Sequence, residues 1–289
     1  MKVLLFLLVF FHICFISFSQ QEPIFNLNET NQSFYNPSTT AVYDHHLVNT
    51  QYRNQWIGFN GSPITYLLNY EMDIDKINSG IGLVAMRDEI GLNTNYTIGL
   101  NYRYTFNLGE FSKLSAGIGI NWFHQRFSNG WVTPNSTNDP HLPQPSNSSW
   151  NVNSGLHFQR KKLTIGLGWM NVISAFRNQS AHHPYHKALH TNLFADYTFE
   201  VTQHFALTPS FLILTDWNRI TSLLAVKGLH YNRFWWQIGY RQYRALNIGV
   251  GIQFWNRLHV GAIYEHSFAQ YLVGFNSTFE AYIAFRLKK

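Results

Sequence analysis

Cysteine is almost missing from this chain of 289 residues: the only one is Cys14. It lies in an apolar run at the amino terminus, so the remainder needs no disulfide and offers no thiol for catalysis or metal binding. Charge is scarce too, with Asp, Glu, Lys and Arg making up 12% of residues, about half the level of soluble domains. The net charge is +6, but the cations are scattered. A phosphate-tracking surface needs them clustered, so no nucleic-acid partner is expected. After residue 20 no apolar run approaches the ~20 residues of a spanning helix. No G-x-S-x-G elbow occurs, and the pairs Gly117/Gly119, Gly166/Gly168 and Gly249/Gly251 lack the third glycine or the Lys-Ser/Thr of nucleotide loops. Neither an enzyme nor a cofactor is expected.

What the chain does have is apolar and aromatic character, at 45% and 17% of residues. Residues 1–19 read as a cleaved signal peptide: Lys2, an apolar stretch from Val3 to Phe18, and the small-x-small site Ser17-Phe18-Ser19. Residues 20–45 are polar, without alternation, and read as a periplasmic N-terminal segment. Residues 46–289 read as a transmembrane antiparallel β-barrel of about 14 strands, from 46–56 to 273–287. Ile64, Tyr66, Leu68 and Tyr70 share one face, and Thr65, Leu67, Asn69 and Glu71 the other. Such period-two alternation arises where a strand's two faces meet different media. In the stretch from Leu246 to Phe254 the second face is Asn247, Gly249, Gly251 and Gln253. A soluble sandwich would carry charge there, so the apolar set is assigned to lipid and the small polar set to a lumen. Lumen-side Asn247 should then accept an arginine more easily than lipid-side Ile248.

Loop lengths agree with this reading, because outer-membrane barrels have short periplasmic turns and longer external loops. The two longest connections, near 128–148 and 171–187, follow the fifth and seventh strands, both on the external side. The lumen-side glycines point to an occupied interior, and Arg53 and Arg241 face the same interior, with Glu71, Glu265 and Glu280 as counter-charges. Pro209 falls inside a strand, where it removes a ladder donor, so a bulge is expected. His182, His183, His186 and His190 form the best candidate metal cluster, but Pro184 prevents one helical face from aligning them, and no metal site is expected. Ser154 and His157, an odd number of residues apart, point to opposite faces and cannot form a hydrolase pair.

Tyr52-Arg53-Asn54-Gln55-Trp56-Ile57-Gly58, followed by Gly61-Ser62-Pro63, resembles the YRNQW…G-x-P signature of the PorP/SprF family. Asn36-Pro37 resembles the stretch before that family's first strand, although Ser38-Thr39-Thr40 departs from its usual Ala-Tyr-Ala-Gly. The resemblance implies Asn36, Pro37, Tyr52, Arg53, Asn54, Gln55, Trp56, Gly58, Gly61 and Pro63 as signature positions. It also implies a non-enzymatic component of type IX secretion and gliding in the outer membrane. The partners it implies are membrane lipid, a secreted adhesin or cargo protein, and periplasmic secretion components. A passive channel or small-molecule transporter is the alternative.

Overall fold

A computed structural model describes residues 22–42, 46–128, 146–176, 187–242, 245–255, 257–268, 274 and 276–287. The proposed signal peptide and His182, His183 and His186 lie outside the described residues. Fourteen antiparallel staves close into a barrel. They are β1 His46–Gln55, β2 Ile64–Ile74, β3 Ser79–Ile90, β4 Asn93–Asn107, β5 Ser112–Phe127, β6 Ser146–Arg160 and β7 Leu163–Met170. Next come β8 (His190–Tyr197, resuming as Phe199–Thr202), β9 Phe205–Thr215, β10 Ile220–His230 and β11 Phe234–Arg241. The last three are β12 Ala245–Phe254, β13 Leu258–Ser267 and β14 Ser277–Arg286. Each pairs with its sequence neighbours, and β14 closes onto β1 with Leu47 opposite Arg286 and Gln55 opposite Thr278. Closure is what a sheet in lipid requires, since an open edge leaves backbone groups unpaired.

Both faces are as the alternation predicts. Leu100, Ile120, Leu224, Ile238, Ile248 and Ile283 are exposed on the outside, Ile248 at 59%. Asn49, Gln51, Arg53, Asn69, Asn101, Asn247 and Glu280 are buried on the inside. Connections at the end bearing His46 and Arg286 are short: 75–78, 108–111, 161–162, 203–204, 231–233 and 255–257. That end is the periplasmic one. The long connections 128–145 and 171–189 are at the other end.

Pro209 does not break its own strand; it breaks the neighbour's. It stays in β9 opposite Val226, while β8 interrupts at Thr198, resumes at Phe199 in the same register, and shifts only further on, between Phe205 and Ala206. A proline offers no N–H to the ladder, so the facing strand loses a donor there, while Thr198 keeps its bond to the other neighbour, donating to the Lys162 carbonyl at 3.1 Å. Hydroxyls bridge the gap, Thr198 Oγ1 to Thr208 Oγ1 at 3.0 Å.

The lipid-facing assignment has a measurable consequence. Ile248→Arg should destabilise the barrel by about 2–4 kcal/mol if the residue lies near the bilayer midplane. Equilibrium unfolding in lipid vesicles measures it.

Candidate functional site

The barrel is not empty. Residues 22–42, expected on the periplasmic side, are folded inside it over their whole described length. Their polar character, which suggested a solvated linker, instead matches a polar lumen. The segment holds three single turns: 3-10 at Asn28–Thr30, α at Gln32–Tyr35 and 3-10 at Pro37–Thr39. Phe25, Asn26, Asn31, Asn36, Ser38 and Thr40 have essentially no solvent exposure. Phe25 and Phe34 meet edge-on, with ring centroids 6.2 Å apart. Tyr35 clasps the chain on itself, its hydroxyl donating to the Pro23 carbonyl at 3.0 Å and accepting from Phe25 N at 2.9 Å.

Glu280 is the central grip. Fully buried, it takes Arg53 Nε at 3.1 Å as its ion pair. It also accepts the backbone N–H groups of Asn26, at 2.8 and 3.0 Å, and of Leu27, at 3.2 Å. Arg241 forms an ion pair with Glu265 at 2.9 Å and donates to Asn26 Oδ1 at 2.8 Å and the Ile24 carbonyl at 3.2 Å. Glu71 serves the plug, accepting from Ser33 Oγ and, at 2.6 Å, from Ala41 N. The counter-charge network read from the sequence is therefore also the plug contact. Asn247, far from being free to take an arginine, packs at 2% exposure against Asn26, with Nδ2 3.3 Å from Asn26 Oδ1.

Glycines make the room. A Cβ on Gly117 would collide with Pro37 and Ser38, one on Gly155 with Asn36, and one on Gly80 would sit 2.7 Å from the Thr40 carbonyl. These positions form a trough on β3, β5 and β6 in which residues 36–40 lie. Asn36 fastens the segment there: Oδ1 accepts Ser38 N at 3.0 Å and Nδ2 donates to the Leu156 carbonyl at 3.2 Å. Proline follows at the first position of the turn, where its missing N–H costs nothing.

At the external end Glu22 pairs with Lys187 at 2.7 Å and accepts from Asn171 Nδ2 at 2.9 Å. Burial alone would raise its carboxyl pKa. Lys187 and His190 outweigh burial and hold it below the ordinary value near 4.5. His190, the described member of the histidine cluster, bonds the Ala188 carbonyl through Nδ1 at 2.9 Å. His157 is buried in the lumen, and Ser154 is of the opposite, lipid-facing parity.

The signature residues divide by job. Asn36 and Pro37 belong to the plug. Arg53 holds Glu280 and is steadied by Gln55, its Nη1 donating to Oε1 at 2.6 Å. Tyr52 faces lipid beside Tyr66, with centroids 5.3 Å apart. Asn54, Trp56, Gly58, Gly61 and Pro63 build the first external turn: Asn54 Oδ1 accepts Ser62 Oγ at 3.4 Å and the Pro63 carbonyl accepts Gln55 N at 2.9 Å. Gly58 and Gly61 have φ of 92° and 77°, the left-handed region that glycine adopts without steric cost.

Residues 17–285 match the family described as type IX secretion system membrane protein PorP/SprF. The chain belongs to this family. No curated protein matches it. Among solved structures the fold is similar to the Ralstonia pickettii toluene transporter TbuX, at 9% identity and TM-score 0.54, covering 88% of this chain and 92% of that one. It is also similar to the Acinetobacter baumannii outer membrane protein Omp33, at 8% identity and TM-score 0.52, covering 84% and 98%. A Pseudomonas aeruginosa FadL homologue follows at 13% identity and TM-score 0.50, covering 90% and 94%. These likenesses show an outer-membrane barrel fold. With the PorP/SprF family they make the protein an outer-membrane component of type IX secretion.

The external anchor of this PorP/SprF plug should be acid-labile. The folded pKa of Glu22 is depressed, so its stabilisation is complete above the unfolded pKa and is lost as pH falls through the lower folded value. Protection factors at residues 22–27, corrected for the intrinsic pH dependence of amide exchange, should fall below about pH 4.5 and stay flat across that window in Glu22→Gln.

Proposed function

We propose that this PorP/SprF protein is a non-enzymatic outer-membrane post of the secretion or gliding machinery. In this reading it anchors or helps export a surface adhesin or cargo and links to periplasmic partners. The observation that carries the proposal is the self-plugged lumen. A barrel whose interior is filled by its own chain, gripped through Glu280, Arg241 and Glu71, is suited to rigid support rather than solute flow. The external loops would then meet the cargo and the short turns face the periplasmic machinery.

A passive channel is the second reading, and one observation favours it. Two cavities of about 350 and 310 Å³ lie toward the periplasmic end. Against it, the spaces beside Glu22 and beside Tyr35 and Phe194 are only about 10 Å³ each, about one water molecule.

Two measurements separate the readings. Purified protein in planar bilayers should give no stable open pore, whereas a variant lacking residues 22–42 should conduct. A steady pore from the intact protein would favour the channel. A deletion strain should lose the surface adhesin or cargo with normal solute uptake; normal display would count against the post.

A further inference from the structure

The two large cavities share the periplasmic end of the barrel, and the plug lines the inner side of the larger one through Glu29, Gln32 and Ser33. The larger is walled by Leu47, Leu229, Tyr282, Ala284 and Arg286, the other by Asp73, Arg103, Thr105 and Lys113. All come from the periplasmic portions of their strands. Here the rim is cationic. Lys113 and Arg286 have the lumen-facing parity of the buried Ser115 and Ala284. Lys162, Arg233 and Arg257 continue that parity into the turns, two residues before Thr164, Trp235 and His259. Among the described residues, Asp75, Glu110 and Glu200 are the exposed acids of this end, and Glu200 is already taken by Lys162 at 2.6 Å. Lys113, Arg233 and Arg257 are exposed and make no ion pair among the described residues.

We infer that the periplasmic mouth of the barrel is a socket for an acidic, extended segment of a periplasmic protein. The inference rests on the periplasmic link proposed above and names the chemistry of that partner. Position decides between a protein and anionic lipid. A cation meant for headgroups would stand on the lipid-facing parity beside the aromatic belt. At this level that parity holds the exposed Phe106, Phe234 and Phe254, while the cations encircle the mouth. Like charges converging on a recess with low-dielectric walls focus a field that draws an opposite charge inward. The segment lies across the rim rather than deep in the barrel, because Glu29, Glu71 and Asp196 line the larger cavity behind it; Leu47, Leu229 and Ala284 offer apolar contact between the charged points.

The test uses the full-length protein in detergent and two fluorescein-labelled hexapeptides, one alternating Asp and Gly, the other Lys and Gly. The Asp peptide should bind about tenfold or more tightly than the Lys peptide, and the preference should shrink as salt rises. Lys113→Gln, Arg233→Gln and Arg257→Gln combined should abolish the preference while the barrel keeps its heat-modifiable gel mobility. Equal binding of the two peptides, or an unchanged preference in the triple variant, would overturn the inference. So would a triple variant that loses retention of phosphatidylglycerol vesicles but still prefers the Asp peptide. In cells, a triple variant that restores cargo display to a deletion strain as fully as wild type overturns the socket and leaves the export reading standing. Failure to restore display, with normal barrel levels, supports the socket. A deletion strain with no display defect retires the export reading, and the peptide result then decides the socket alone.

Discussion

Among the contacts that hold the molecule's inside to its wall, the carboxylate of Glu280 is the central one. It is fully buried, and a charge taken out of water is expensive unless its partners are complete. Here they are: a guanidinium from β1, and two consecutive backbone N–H groups from the segment in the lumen. β1 and β14 are also the pair that closes the barrel. Arg53 and Glu280 face one another in that register, so closing the wall and building the plug site are one event. A β1–β14 seam shifted by one residue would put Arg53 and Glu280 on opposite faces, leaving one of them charged in lipid and the other without its partner.

The grip is polar by necessity. A lumen-facing surface of asparagine, glutamine and threonine cannot hold a plug through apolar burial, so it uses many modest hydrogen bonds instead, each worth ~1 kcal/mol net. The sum suffices because the plug is covalently attached. Val42 lies only a few residues before β1 starts at His46, so residues 22–42 bind intramolecularly without the translational cost of a separate ligand. Two ring contacts within the plug, Phe25 with Phe34 and Phe34 with Tyr35, give it a small core of its own.

The walls were readable from the sequence and the filling was not. Alternation revealed both faces of every strand named, because a strand's period is fixed at two and lipid tolerates no ambiguity. Arg53, Arg241, Glu71, Glu265 and Glu280 were placed on the lumen, and glycines at Gly117 and Gly168 pointed to an occupied interior. Residues 20–45 gave no such signal. Polar side chains without period look the same whether water or a polar lumen satisfies them, and single helical turns leave no pattern to count. The usable clue was the glycines: strands that turn Gly117, Gly155 and Gly168 to the lumen leave room for a backbone to lie against them. Pro209 was only half legible, since its effect fell on Thr198 across the ladder rather than on its own strand.

The plug's contacts are ordered along its length. Residues 36–40 are boxed by backbone: Gly117, Gly155 and Gly80 leave no room even for a methyl group, and the covalent tether to β1 lies just beyond. Residues 22–27 are held by side chains, Lys187, Arg241 and Glu280, which can exchange partners by rotating. Moving the first set requires the wall to deform, whereas moving the second requires only that a competing charge reach Glu22 or the Arg241 guanidinium. The external half of the plug is therefore held by contacts that can exchange, and the Asn36-Pro37 turn by the wall itself. A ligand at the cationic periplasmic mouth would approach the anchored end. It can lie across the rim without first displacing the plug.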